Sequence, residues 1–157
     1  MANFPCKFVE SCDTANDVAR FLDLFRLTVM RVLLVEDHQD TREVLARLLE
    51  HWGFDVVPVE NLEKGLGTLE KESFGAVVSD ISLPDGEGYT LIEEAKRREQ
   101  SILGIALSAH ASELDMERGK EAGFDRYLTK PFDGWELRSI LEERCAANNS
   151  AQQTRDV

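Results

Sequence analysis

The chain has 157 residues, a length that fits one ordinary domain able to close a core of its own. Its 30 acidic residues against 18 basic ones give a formal net charge of -12, which repels nucleic-acid phosphates and anionic membrane surfaces, and a hydrophobic content of 43% suits a water-soluble globular protein. The cysteines Cys6, Cys12 and Cys145 form no CxxC or Cys/His cluster, which argues against zinc and for reduced thiols in the cytoplasm.

Residues 1–29 precede the first regular pattern. Within them TANDVARFLDLFRL sets Val18, Phe21, Leu22 and Phe25 on one helical face, the pattern of a packing or dimerising arm, although a loosely ordered leader is the simpler expectation. The run RFLDLFRLTVM is broken by Asp23 and Arg26 and follows no positively charged segment, so it does not read as an export signal. No stretch approaches the roughly 18 uninterrupted apolar residues of a membrane span.

From Met30 the pattern alternates between short apolar runs and helical periodicity. VLLV (32–35), FDVVPV (54–59), FGAVVS (74–79), ILGIALS (102–108) and FDRYLT (124–129) have strand length and are mostly β-branched or aromatic. After the first comes a stripe of Val44, Leu45, Leu48, Leu49 and Trp52, with Asp40 and Glu43 spaced as a helix cap and its reciprocal partner. After the second, Leu62, Leu66 and Leu69 follow a capping Asn61, with Gly65 and Gly67 weakening the helix. The third helix is expected over 89–100, and the fourth over 112–122 with Gly123 as its stop. The last carries Leu137, Ile140 and Leu141 behind Asp133 and Glu136, and the polar tail, residues 146–157, reads as disordered.

Five strands each followed by a helix imply a doubly wound α/β domain with a parallel sheet covered on both faces. In such sheets the carboxyl ends of the strands share one edge, and ligands collect there. That edge receives Glu36 and Asp37 from the first strand, Asp80 from the third, Ser108 from the fourth and Lys130 from the fifth. Two like charges 4 Å apart repel by about 4 kcal/mol at an intermediate effective dielectric, which a divalent cation relieves, and hard oxygen donors favour Mg²⁺ or Mn²⁺. Lys130 offers a point charge and Ser108 a hydroxyl for phosphate oxygens, so the pocket suits a phosphoryl group on or beside Asp80. Taken singly, each residue reads more simply as a turn former, a helix cap or an unremarkable surface group; the case rests on four strand ends agreeing.

The segments VLLVEDHQDTRE, VVSDISLPDGEGY, GIALSAH and AGFDRYLTKPF resemble the receiver domains of two-component response regulators, and their texture is most similar to receivers of hybrid sensor histidine kinases. The resemblance covers about residues 30–144 and implies a receiver domain over 30–145. It implies a flavodoxin-like fold with strand order 2-1-3-4-5, phosphorylation of Asp80 from a phosphohistidine, and Mg²⁺ held by Glu36, Asp37, Asp80 and the backbone carbonyl of Ser82. It further implies that Lys130 bridges to the acyl phosphate beside a cis bond to Pro131, that Ser108 is the switch hydroxyl, and that Tyr127 is the aromatic that turns inward with it. The implied partners are a sensor histidine kinase or a histidine phosphotransfer protein. The chain is then a signalling switch, monomeric or weakly dimeric, that catalyses only its own phosphorylation and dephosphorylation. Glu36 stands where Asp is also common, Gly86 stands where many relatives carry Met and predicts a more mobile loop, and Ser82 and His110 occupy positions that tune the phosphoryl lifetime.

Three rivals fit less well. A flavodoxin-like cofactor binder needs a phosphate-cradling loop where this chain has EDHQDT, and no GxGxxG is present for a dinucleotide. An aspartyl-phosphate hydrolase usually has a second Asp where Ser82 stands. An interaction module that is never phosphorylated has no need of the full set Glu36, Asp37, Asp80, Ser108 and Lys130.

Overall fold

The computed structural model describes residues 29–110 and 112–153, so the arm or leader read in residues 1–29 lies almost wholly outside the described residues. Strands and helices alternate along them: β1 Arg31–Val35, α1 Gln39–His51, β2 Asp55–Val59, α2 Leu62–Lys71, β3 Ala76–Asp80, α3 Gly88–Arg98, β4 Leu103–Ser108, α4 Glu113–Ala122, β5 Arg126–Thr129 and α5 Gly134–Gln153. Between β3 and α3 a short antiparallel ribbon pairs Ser82–Leu83 with Gly86–Glu87. The five long strands form one parallel sheet in the order β2-β1-β3-β4-β5.

Strand alternation decides how the sheet is covered. On β1, Val32 and Leu34 face one core with Val78 and Ile105, packed by Leu45, Ala46 and Leu49 of α1 and Leu137 and Leu141 of α5. Leu33 and Val35 face the other core with Val77 and Ala106, packed by Leu62, Leu69, Leu91, Ile92 and Ala95 of α2 and α3. Both faces are therefore dry, and the central strand β3 is buried along its whole length. Each fully buried Leu or Ile contributes about 1.5–3 kcal/mol relative to exposure. Pro58 lies in β2 at the sheet edge, where its missing N–H costs no ladder bond.

Local signals act as expected at several helix ends. Asn61 Oδ1 accepts from Lys64 N at 2.9 Å, Ser112 Oγ accepts from Asp115 N at 3.1 Å, and Gly123 ends α4 at φ +117°. Three expectations need correction. Asp40 is not the cap of α1: His38 holds that place without a side-chain bond, and Asp40 lies inside the first turn. Val44 and Leu48 are exposed, because the face that meets the sheet is Leu45, Ala46 and Leu49 and the apolar stripe is wider than that contact. Finally, α5 runs on to Gln153, past the boundary drawn at 145, since Ala and Gln sustain a helix without apolar periodicity.

The packing of β5 on α4 depends on Gly119, which is buried. A Cβ there would lie 1.4 Å from the Tyr127 hydroxyl oxygen, so only glycine lets the ring lie against the helix. Burial there, with the Tyr89 hydroxyl nearby, raises the Tyr127 phenol pKa well above the ordinary tyrosine value. Gly119→Ala should therefore eject the ring, at a cost of about 1–3 kcal/mol from overpacking, offset in part by the better helix propensity of alanine. In an absorbance titration Tyr127 should then ionise closer to the ordinary tyrosine value of about 10 than it does in the parent protein; an unchanged titration contradicts the packing of the ring against Gly119.

Candidate functional site

Strand order reverses between β1 and β3, and the carboxyl ends of those two strands deliver the acids. Glu36 follows β1 and is fully buried, Asp37 beside it is half-buried, and Asp80 ends β3 with 8% exposure. One residue past β5, the Lys130 ammonium donates to Glu36 Oε2 at 2.6 Å and to Asp80 Oδ2 at 2.7 Å. A single cation thus joins the ends of three strands. Burial by itself lowers the Lys130 pKa, yet the hydrogen bonds to Asp80 and Glu36 outweigh it and hold the value above the ordinary lysine range. The Lys130–Pro131 peptide bond is cis, as expected.

Three carboxylates share this pocket with one ammonium, which leaves two negative charges among these four groups. Donor atoms of Glu36, Asp37 and His38 all lie within 4.8 Å of one another, and His38 Nδ1 is 3.3 Å from Glu36 Oε1 and 3.1 Å from Asp37 Oδ1. The His38 ring is exposed; Asp37 first, and then Glu36, raise its pKa. The hard oxygens and the residual charge of two fit a divalent cation such as Mg²⁺, which takes few carboxylates at once. Asp80 Oδ1 also accepts the Ser82 N–H at 3.0 Å, so the loop after β3 folds back on the Asp80 carboxylate.

The two switch candidates occupy definite places. Ser108 is buried at the end of β4, where its hydroxyl donates to the His110 carbonyl and accepts the His110 N–H at 3.1 Å. That hydroxyl is engaged locally rather than with the Asp80 carboxylate or the Lys130 ammonium. Tyr127 is half-buried, donates to the Asp115 carbonyl at 2.8 Å and meets Phe124 edge-on with ring centroids 6.0 Å apart. Its ring is thus already packed against α4. The loop expected to be more mobile at Gly86 is instead fastened: Asp85 accepts from the backbone N–H groups of Leu62 and Glu63 at 2.8 Å each.

Sequence reasoning missed several contributors. Arg42 donates to the carbonyls of Glu36 and Asp37 at 2.7 and 3.1 Å, fixing the backbone that presents both acids. Its only sequence signal is a position one helical turn after EDHQ. Arg118 forms a bidentate pair with Glu87 at 2.6 and 3.2 Å and lies 4.4 Å over the Tyr89 ring, linking α4 to the loop beyond Asp80. No local pattern announces a pair so far apart.

Removing the Lys130 ammonium, as in Lys130→Met, strands the buried Glu36 carboxylate and should cost about 3 kcal/mol at neutral pH without divalent cation, read by denaturant unfolding. Because the folded pKa is raised, this stabilisation should be complete below the unfolded lysine pKa of about 10.4 and be lost as pH rises through the folded value. Equal stability of the two proteins at neutral pH contradicts the bridge.

Residues 32–142 match the family described as response regulator receiver domain. Among curated relatives, an uncharacterised 14.6 kDa protein of Leptolyngbya boryana is 36% identical over 77% of this chain and 94% of its own length. The KDP operon transcriptional regulatory protein KdpE of Escherichia coli is 37% identical over 70% of this chain and 48% of its own, so this chain spans about half of that regulator. Among solved structures, the receiver domain of sensor histidine kinase PA1611 from Pseudomonas aeruginosa, with a magnesium ion in its active-site cleft, is 31% identical with a TM-score of 0.67 over 75% of this chain and 98% of that one. Non-phosphorylated HemR receiver domain from Leptospira biflexa is also 31% identical, with a TM-score of 0.68 over 74% of this chain and 94% of that one. Five parallel strands in this order, carboxylates at the switch point and the match along 32–142 agree, and the chain belongs to the response regulator receiver family.

Proposed function

We propose that this chain is a phosphoacceptor switch in which Asp80 takes a phosphoryl group from a phosphohistidine on a sensor kinase or histidine phosphotransfer protein. The observation that carries the reading is the Lys130 ammonium shared by Glu36 and Asp80 at the strand-end pocket. A carboxylate oxygen of Asp80 bonds to phosphorus as the phosphorus–nitrogen bond breaks, and the electron pair leaves on the imidazole nitrogen. Glu36, Asp37, Asp80 and the Ser82 carbonyl would hold Mg²⁺ or Mn²⁺, which when bound offsets negative charge on the carboxylates and the phosphoryl oxygens. Lys130 keeps Asp80 oriented beforehand and faces a phosphoryl oxygen afterwards. Ser108 then exchanges its His110 carbonyl partner for a phosphoryl oxygen, and this move, with the packing of Tyr127 on α4, reshapes the α4–β5–α5 surface for a protein partner.

The acidic balance argues against direct contact with nucleic acid. Among the described residues no helix is long and apolar enough to cross a membrane. Incubation with acetyl phosphate and Mg²⁺ should add the mass of one phosphoryl group, stable in acid and labile in base, and Asp80→Asn should abolish the gain. No gain at any Mg²⁺ concentration overturns the acceptor reading and leaves a receiver-shaped interaction module. Return of the label to the histidine of a phosphotransfer domain distinguishes onward relay from a terminal switch.

A further inference from the structure

Helix α2 opens on three backbone N–H groups that its own turn cannot satisfy. Asn61 takes one of them, that of Lys64. The other two, from Leu62 and Glu63, donate at 2.8 Å each to Oδ1 and Oδ2 of Asp85, more than twenty residues away. Both carboxylate oxygens are thereby used, and the negative group sits where the helix dipole favours it. Hydrogen bonds from the backbone of Glu63 and then Leu62 keep the Asp85 carboxyl below the usual carboxylate range.

Asp85 lies at the tip of the ribbon that follows Asp80, between the paired segments Ser82–Leu83 and Gly86–Glu87. The base of this loop is closed by Gly88 N–H on the Ile81 carbonyl at 2.8 Å and by Ser82 N–H on Asp80 Oδ1 at 3.0 Å. Glycines let it sit so tightly: a Cβ at Gly86 would lie 2.5 Å from Leu62 Cδ2, and one at Gly88 would lie 2.4 Å from the Asp80 carbonyl oxygen. On the opposite flank the side-chain tie among the described residues is that between Glu87 and Arg118, an ion pair exposed by about half on each side chain. Pairs of that kind hold weakly. The firm attachment is on the α2 side.

We propose that Asp85 is a positioning residue: by clamping the ribbon tip to the N-terminus of α2, it sets the Ser82 backbone relative to Asp80, and through it the divalent-cation affinity of the acceptor site. The role rests on the acceptor reading above. Ser82 is the lever, because its N–H already engages Asp80 and its carbonyl is the backbone group offered to the cation. A tip released from α2 lets both swing together.

Calorimetric titration of the unphosphorylated protein with Mg²⁺ tests this. Asp85→Ala should weaken Mg²⁺ binding by about tenfold, the usual scale for losing a residue that supports a metal ligand. It should also speed amide exchange at Ser82. Asp85→Asn, which keeps one acceptor oxygen, should fall between Asp85→Ala and the parent protein. Asn61→Ala removes the neighbouring cap of the same helix without touching the ribbon, so it should lower stability and leave Mg²⁺ affinity unchanged. If the parent protein binds Mg²⁺ while Asp85→Ala and Asp85→Asn bind it equally well, or if Asn61→Ala weakens binding as much as they do, the positioning role is overturned. Should the parent protein bind no Mg²⁺ and gain no phosphoryl group, the acceptor reading itself falls.

Discussion

The Lys130 ammonium, held between Glu36 and Asp80, is the contact on which the rest of this structure depends. It joins the ends of β1, β3 and β5, and β1 and β3 are the strands at which the strand order reverses. A fully buried glutamate is costly in any protein, and here it is tolerated because a cation and the His38 N–H both reach it. In the proposed function the groups that stabilise the fold are also those that would meet an incoming phosphoryl anion.

Around that contact the surrounding elements act as fasteners. Arg42 holds the carbonyls of Glu36 and Asp37, Asp85 holds the loop beyond Asp80 on α2, and Arg118 ties the far end of that loop to α4. Gly119 and the Asp115 carbonyl seat Tyr127 against the same helix. Helix α4 therefore touches both the loop that follows Asp80 and the Tyr127 ring. It packs more lightly than α1, α2 and α3, burying Gly119 alone among its own residues, so a displacement proposed for it would cost little.

Much of this was legible in the amino-acid sequence, for identifiable reasons. Strands such as VLLV and AVVS are buried on both faces and read as unbroken apolar runs, and parallel topology alone then gathers Glu36, Asp80, Ser108 and Lys130 at one edge. The cap at Asn61 and the stop at Gly123 are local chemistry and were readable locally, and Ser112, expected as the first residue of its helix, proves to be its cap. The stripe on α1 misled, because Val44 and Leu48 extend an apolar face beyond the part that meets the sheet. Asp85 and Arg118 were invisible as fasteners, since their partners lie 22 to 31 residues away and no short pattern encodes such a meeting. Gly86 looked like a source of mobility, whereas its lack of a side chain lets the ribbon close over Leu62.

In the proposed function Asp80, held by Lys130, is the carboxylate that takes the phosphoryl group. Borohydride reduction of the phosphorylated protein followed by peptide mapping reads this directly, because an acyl phosphate is reduced where it stands and converts its aspartate to homoserine. Homoserine should appear at position 80 alone. Homoserine at any other acidic position, or a phosphoryl group retained on a histidine or serine, contradicts it.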